Sequence, residues 1–195
     1  MAAGWKYDLK PKEEQEERYD VSTGLRRRGN YVLDVAGLPI GSHVPSFTPI
    51  AADLKAKTAK IVVNVGIVEA ADNAATSLKI AKGSYLSPGM FIGNGSKVAK
   101  VAAIDKTGPS YDVVTLEATL GEEVKAGDVL FEASATGGTT PKNVANSALY
   151  ENHKVTEGIN SVALLQRAFE IDPEKLVTPF SAKDKANLPH FQFNE

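Results

Sequence analysis

Residues 89–133 read GMFIGNGSKVAKVAAIDKTGPSYDVVTLEATLGEEVKAGDVLFEA. Met90, Phe91 and Ile92 run into Gly93-Asn94-Gly95-Ser96, and Val98 to Ile104 follow. Asn-Gly accepts the positive φ angles of a tight hairpin, so these two runs are expected to pair antiparallel. Thr107-Gly108-Pro109-Ser110 makes the next turn and Tyr111 to Leu116 the next strand. Lys125-Ala126-Gly127-Asp128 then turns the chain into Val129, Leu130 and Phe131.

Upstream, Ile61, Val63, Val65 and Ile67 alternate with Asn64 and Gly66, a period of two that predicts one strand with an apolar face. Many short strands at close spacing, with almost no helical periodicity, predict a mainly β protein whose core, residues 31–135, is a small barrel or sandwich. Residues 133–142, ASATGGTTPK, read as a linker or long loop. Residues 136–195 then form a linker and a short mixed C-terminal region that packs on the core. Leu149 and Tyr150 suggest a short strand there. Residues 161–171, SVALLQRAFEI, suit a helix or a strand equally well. Ser181 or Asp184 starts a short helix stopped by Pro189, and Phe191-Gln192-Phe193 alternates like an edge strand.

Residues 1–30 are different in texture. They carry Lys10, Lys12, Glu13, Glu14, Glu16, Glu17, Arg18 and the Arg26-Arg27-Arg28 run, with few aliphatics. A segment of this kind cannot bury enough apolar surface to order alone, and is expected to be a charged, extended arm. Glu14 and Arg18 stand four apart, which supports at most one helical turn.

The chain of 195 residues is 43% hydrophobic, enough for one good core or for a main core and a smaller satellite, and it contains no cysteine. Disulfides and thiolate chemistry are therefore excluded. A formal net charge of -2 provides no field to hold the chain on phosphate backbones, so no nucleic-acid partner is expected. MAAGWKYDLK lacks the apolar run of a secretory signal, and no later segment approaches the length of a membrane span. A soluble protein with no membrane partner is expected.

No catalytic pattern emerges. His43, His153 and His190 lie far apart without metal-site spacing, and are read as surface or hydrogen-bonded histidines. No GxSxG elbow or DxDxDG loop is present. Gly93-Asn94-Gly95-Ser96-Lys97 has the wrong glycine spacing for a phosphate loop and is followed by a strand. Asn94-Gly95-Ser96 fits a glycosylation sequon, which is idle without export. No enzyme activity, catalytic residue, cofactor or metal is expected.

Gly121 to Glu132, GEEVKAGDVLFE, resembles the turn and strand of biotinyl and lipoyl carrier domains, which implies the alternative of a carrier or small-molecule binding module. Those domains carry a modified lysine in a hairpin. Here the Asp184-Lys185-Ala186 triplet lies in a helix-prone, proline-flanked stretch instead.

The segment from Gly89 to Ala133 resembles the core of tailed-phage head decoration and head fibre proteins. The likeness lies in the order of a paired strand, a valine- and alanine-rich strand ending in Ile104-Asp105, a Thr115-Leu116 strand and the Gly127-Asp128-Val129-Leu130 turn. Asn160 to Phe169 and the LPHFQF ending, Leu188 to Phe193, extend it. The resemblance implies an auxiliary virion protein on the outer capsid surface, assembled in the host cytoplasm. It further implies the major capsid protein as partner and a homo-oligomer, with a trimer favoured. Trp5 and Tyr7, aromatic residues in a polar segment, are then either interface anchors or packed on the protein's own barrel. With Arg26, Arg27 and Arg28 they are the candidate partner-binding residues.

Overall fold

The computed structural model describes residues 17–135 and 140–194. The chain opens with β1 (Asp20–Arg26), β2 (Tyr31–Asp34), β3 (His43–Val44), β4 (Pro49–Asp53) and β5 (Thr58–Ile61). It continues through β6 (Asn64–Gly66), β7 (Ser77–Ile80), β8 (Phe91–Gly93), β9 (Val98–Asp105), β10 (Asp112–Leu116) and β11 (Val129–Ala133). Then come β12 (Ser147–Leu149), β13 (His153–Lys154), β14 (Ser161–Val162), β15 (Leu164–Ile171), the α-helix α1 (Ala182–Asn187) and β16 (Phe191–Phe193). The protein is mainly β, as expected.

The strands form two curled sheets and a separate two-stranded β3–β13 pair. In the first, hydrogen bonding runs β15-β12-β4-β5-β2-β14. Because β14 and β15 are separated by Ala163 alone, this path returns to its own start. The ring encloses Tyr31, Leu33, Ile50, Ala59, Leu149, Val162 and Leu164. Inward residues alternate with exposed ones, as Tyr31-Val32-Leu33-Asp34 shows by its buried-exposed-buried-exposed order.

The second sheet runs β6-β11-β8-β9-β10-β7. An Ile67–Ile80 bridge joins its two ends, and Gly66 O and Lys79 O accept hydrogen bonds from Ala81 N and Val68 N. Leu78, Ile80, Ile92, Val101, Val114, Leu116 and Leu130 fill it. Closure pairs most of the hydrogen-bonding edges that an open sheet would expose, leaving β1 at an edge beside β15.

Residues 20–61 and 147–171 thus build the first ring, and residues 64–133 are inserted between them as the second. The expected single strand from Ile61 to Ile67 breaks at Val62-Val63, where the chain crosses over. Val62 N still donates to Pro49 O in the first ring, while Val63 O already accepts Glu132 N in the second. The apolar period persists through the break because Ile61, Val62 and Val63 each pack into a different core.

A third core lies outside the first ring. Tyr19, Leu165, Ala168, Ile171, Phe180, Leu188 and Phe191 gather around Phe47, whose ring lies 5.0 Å from Tyr19 and 5.8 Å from Phe180. Residues 161–171 are strand. Leu164 faces the ring interior and Leu165 the outer core, so apolar residues fall at both parities and blur the period of two. Ser181 caps α1 with Asp184 in a reciprocal capping box, and β16 pairs parallel with β15.

The three turns of residues 89–133 form as expected. β8 and β9 pair with Gly93 opposite Val98. Gly95 has φ 102°, but Asn94 is not in the left-handed region. Its side-chain oxygen instead accepts the backbone N–H groups of Ser96 and Lys97.

Candidate functional site

Residues 20–34 run antiparallel beside residues 159–171 as one ribbon along the first ring. β1 pairs with β15, Arg27 N donates to Leu164 O, β2 pairs with β14 and Leu33 N donates to Asn160 O. Charged side chains do not keep this ribbon in solution, because the backbone pairing and Tyr19 tie it down. β1 is an edge strand carrying a bulge. Thr23 Oγ1, which donates to Asp20 O, accepts the hydrogen bond of Phe169 N that a regular ladder would send to the backbone. The bulge blunts the edge against pairing with another sheet.

Eight large hydrophobic residues are exposed among those described, and seven belong to the first ring: Val21, Leu25, Val32, Ile40, Leu54, Ile159 and Phe169. Only Val68 lies on the second. Ile159 is 78% exposed and Ile40 66%, on neighbouring turns joined by the β3–β13 pairing and by Gly41 N donating to Val155 O. The Ile159 turn is rigid. Buried Asn160 accepts Thr156 N at 2.9 Å on Oδ1, shares that oxygen with His153 Nε2, and donates from Nδ2 to Thr156 O and Gly158 O.

The candidate partner-binding residues fall in different places. Trp5 and Tyr7 lie outside the described residues. Arg26 is exposed and sits 5.9 Å from the centre of the Tyr150 ring. Arg27 turns inward, its Nε donating to Ser147 Oγ at 2.7 Å and its Nη2 to Asn146 O at 3.0 Å. Arg28 is exposed. The structure therefore puts Arg26 and Arg28 on the surface of the same ring as the exposed aliphatics, while Arg27 braces β12. Sequence reasoning does not single out Ile40 and Ile159. Their signal was a β-branched aliphatic beside glycine in a turn, Ile40-Gly41 and Gly158-Ile159, where nothing local requires it.

A cleft of about 510 Å³ separates the rings. Two acidic and two basic residues line it, Asp34 and Glu132 with Lys60 and Lys142. Glu132 is buried and its Oε1 lies 2.7 Å from Lys142 Nζ. Tyr85 reaches from this cleft to both ring cores. Burial pushes its phenol above the ordinary tyrosine value, against a smaller opposing effect of its hydrogen bond with Thr48. Burial also raises Tyr19, with the neighbouring Tyr150 adding to the effect.

No group of three or more His, Asp or Glu with metal-site geometry occurs among the described residues. His43 and His190 are exposed, and His153 meets Asn160. Lys185 lies on α1 with its ammonium 4.9 Å from the Phe193 ring centre, not in the hairpin that carrier domains use.

The model of a family described as head fiber protein matches residues 2–194. No curated protein and no solved structure matches the chain.

Proposed function

Because this chain belongs to the phage head fiber protein family, we propose that it is a structural virion protein that sits on the outer face of the capsid through its first ring. The second ring projects into solvent. The protein performs no catalysis, its partner is the major capsid protein, and it acts as a homo-oligomer, with a trimer favoured.

The observation that carries this polarity is the unequal distribution of exposed large hydrophobic residues. An apolar side chain held in water gains free energy when a partner covers it, about 25 cal/mol per Å² of area removed from water. Seven of the eight such residues lie on the first ring. The described residues begin there, just before β1, and Trp5 and Tyr7, which lie outside them, are proposed to contact the same partner. The second ring suits the solvent side. Residues 64–133 hold nine Asp and Glu against six Lys and Arg, and a surplus of one sign keeps a projecting body soluble and apart from its copies.

Co-sedimentation with expanded capsids lacking the protein tests this reading. Ile159→Asp and Leu25→Asp are expected to weaken binding by about tenfold or more each, as centrally placed interface residues do. Val68→Asp on the second ring is expected to leave it unchanged. Loss of binding in Val68→Asp with Ile159→Asp unaffected would reverse the proposed polarity.

A further inference from the structure

We propose that the cleft between the two rings binds a neutral carbohydrate, a mono- or disaccharide, at the mouth of the second ring. At about 510 Å³ it lies in the range of pockets that enclose small ligands, and junctions between domains and barrel mouths are favoured places for them. Its charges argue for a neutral ligand. Asp34 and Glu132 offset Lys60 and Lys142, so neither an anion nor a cation gains a net field on entering. The same four heads supply a dense set of hydrogen-bond donors and acceptors.

Glu132 is the central group. Its side chain is 8% exposed, and among the described residues only Oε1 is engaged, by Lys142. Oε2 is left to accept from a hydroxyl, and such bonds to a carboxylate are stronger than those between neutral groups. The walls have the opposite character: Ile61, Tyr85 and Met90 present apolar surface. Sugars combine a rim of hydroxyls with faces of C–H groups, and this cleft offers partners for both.

The site is also formed in advance. Tyr85 packs against both ring cores, and Glu132 is fixed by its N–H to Val63 O and by its carbonyl, which accepts Lys142 N. A ligand entering it orders little, which favours affinity.

Saturation-transfer NMR on the full chain tests the proposal, using methyl β-glucoside, methyl β-galactoside, N-acetylglucosamine and cellobiose as neutral probes, with acetate and choline as charged ones. Transfer is expected to at least one sugar and to neither ion. Exposed Ser87 lines the cleft, so Ser87→Trp fills it without touching a core. That variant is expected to abolish transfer while keeping its thermal transition. Glu132→Gln is expected to weaken binding about tenfold, the loss of one charge-assisted hydrogen bond. Transfer to none of the sugars, transfer that survives unchanged in Ser87→Trp, or equal competition by acetate or choline would each overturn the assignment. None of these outcomes depends on the capsid reading, because the experiment contains no capsid.

Discussion

At Asp184 a carboxylate that is 1% exposed collects hydrogen bonds from three parts of the chain. Oδ2 accepts Ser181 Oγ at 2.6 Å and Asn64 Nδ2 at 2.7 Å, and Oδ1 accepts Ala145 N at 2.7 Å. Asn64 opens the second ring and Ala145 leads back into the first, so one side chain ties the crossing to the return. Removing it strands several buried donors, each costing about 1 to 3 kcal/mol when left unpaired. Asp184→Ala is expected to destabilise the protein by about 3 kcal/mol in urea unfolding, and an unchanged midpoint would show that the node is dispensable. Gly95 is a second such position. At φ 102° a β-branched side chain is strained, and Gly95→Val is expected to lower stability by about 1 to 3 kcal/mol in the same measurement. The turn was legible in the sequence because its chemistry is local. The Asp184 node was not: the capping pattern pointed to a helix start at Ser181 or Asp184, but nothing near Asp184 announces its bond to Asn64.

Elements show the same division. β8, β9, β10, β11 and β16 each follow a turn signal or an alternation and fall near their expected positions. β1 does not, because a charge-rich stretch reads as solvated arm. Its pairing depends on β15, far away in sequence, and on the hydroxyl of Thr23 in the bulge. The proposed arm therefore excludes β1, which is paired with β15 in the first ring. Two truncations separate the parts. Deleting Met1 to Glu16 is expected to leave the thermal transition in place and weaken capsid attachment, since Trp5 and Tyr7 go with it. Deleting Met1 to Arg28 also removes β1, Tyr19 and the hydrogen bonds of Arg27 to Ser147 and Asn146, and is expected to lower the transition temperature by several degrees. Equal stability of the two truncations would mean that β1 contributes nothing to the first ring.

For the whole molecule, the class was readable and the architecture was not. Turn spacing announces a mainly β protein, yet the assignment of strands to rings depends on pairings such as Ser147 with Ile50 and Phe131 with Asn64, which no local pattern encodes. The insertion of one ring into another gives the protein two ends with different surfaces. The first is marked by exposed aliphatics, the second by acidic residues, and a family placed on phage heads makes use of that difference in the reading proposed here. The decisive measurement is electron microscopy of expanded capsids decorated with the purified protein. Periodic density is expected on the outer surface, with the first ring and Ile159 against the shell and the second ring pointing outward. Density with the second ring against the shell, or bare capsids from the cognate phage, would contradict it.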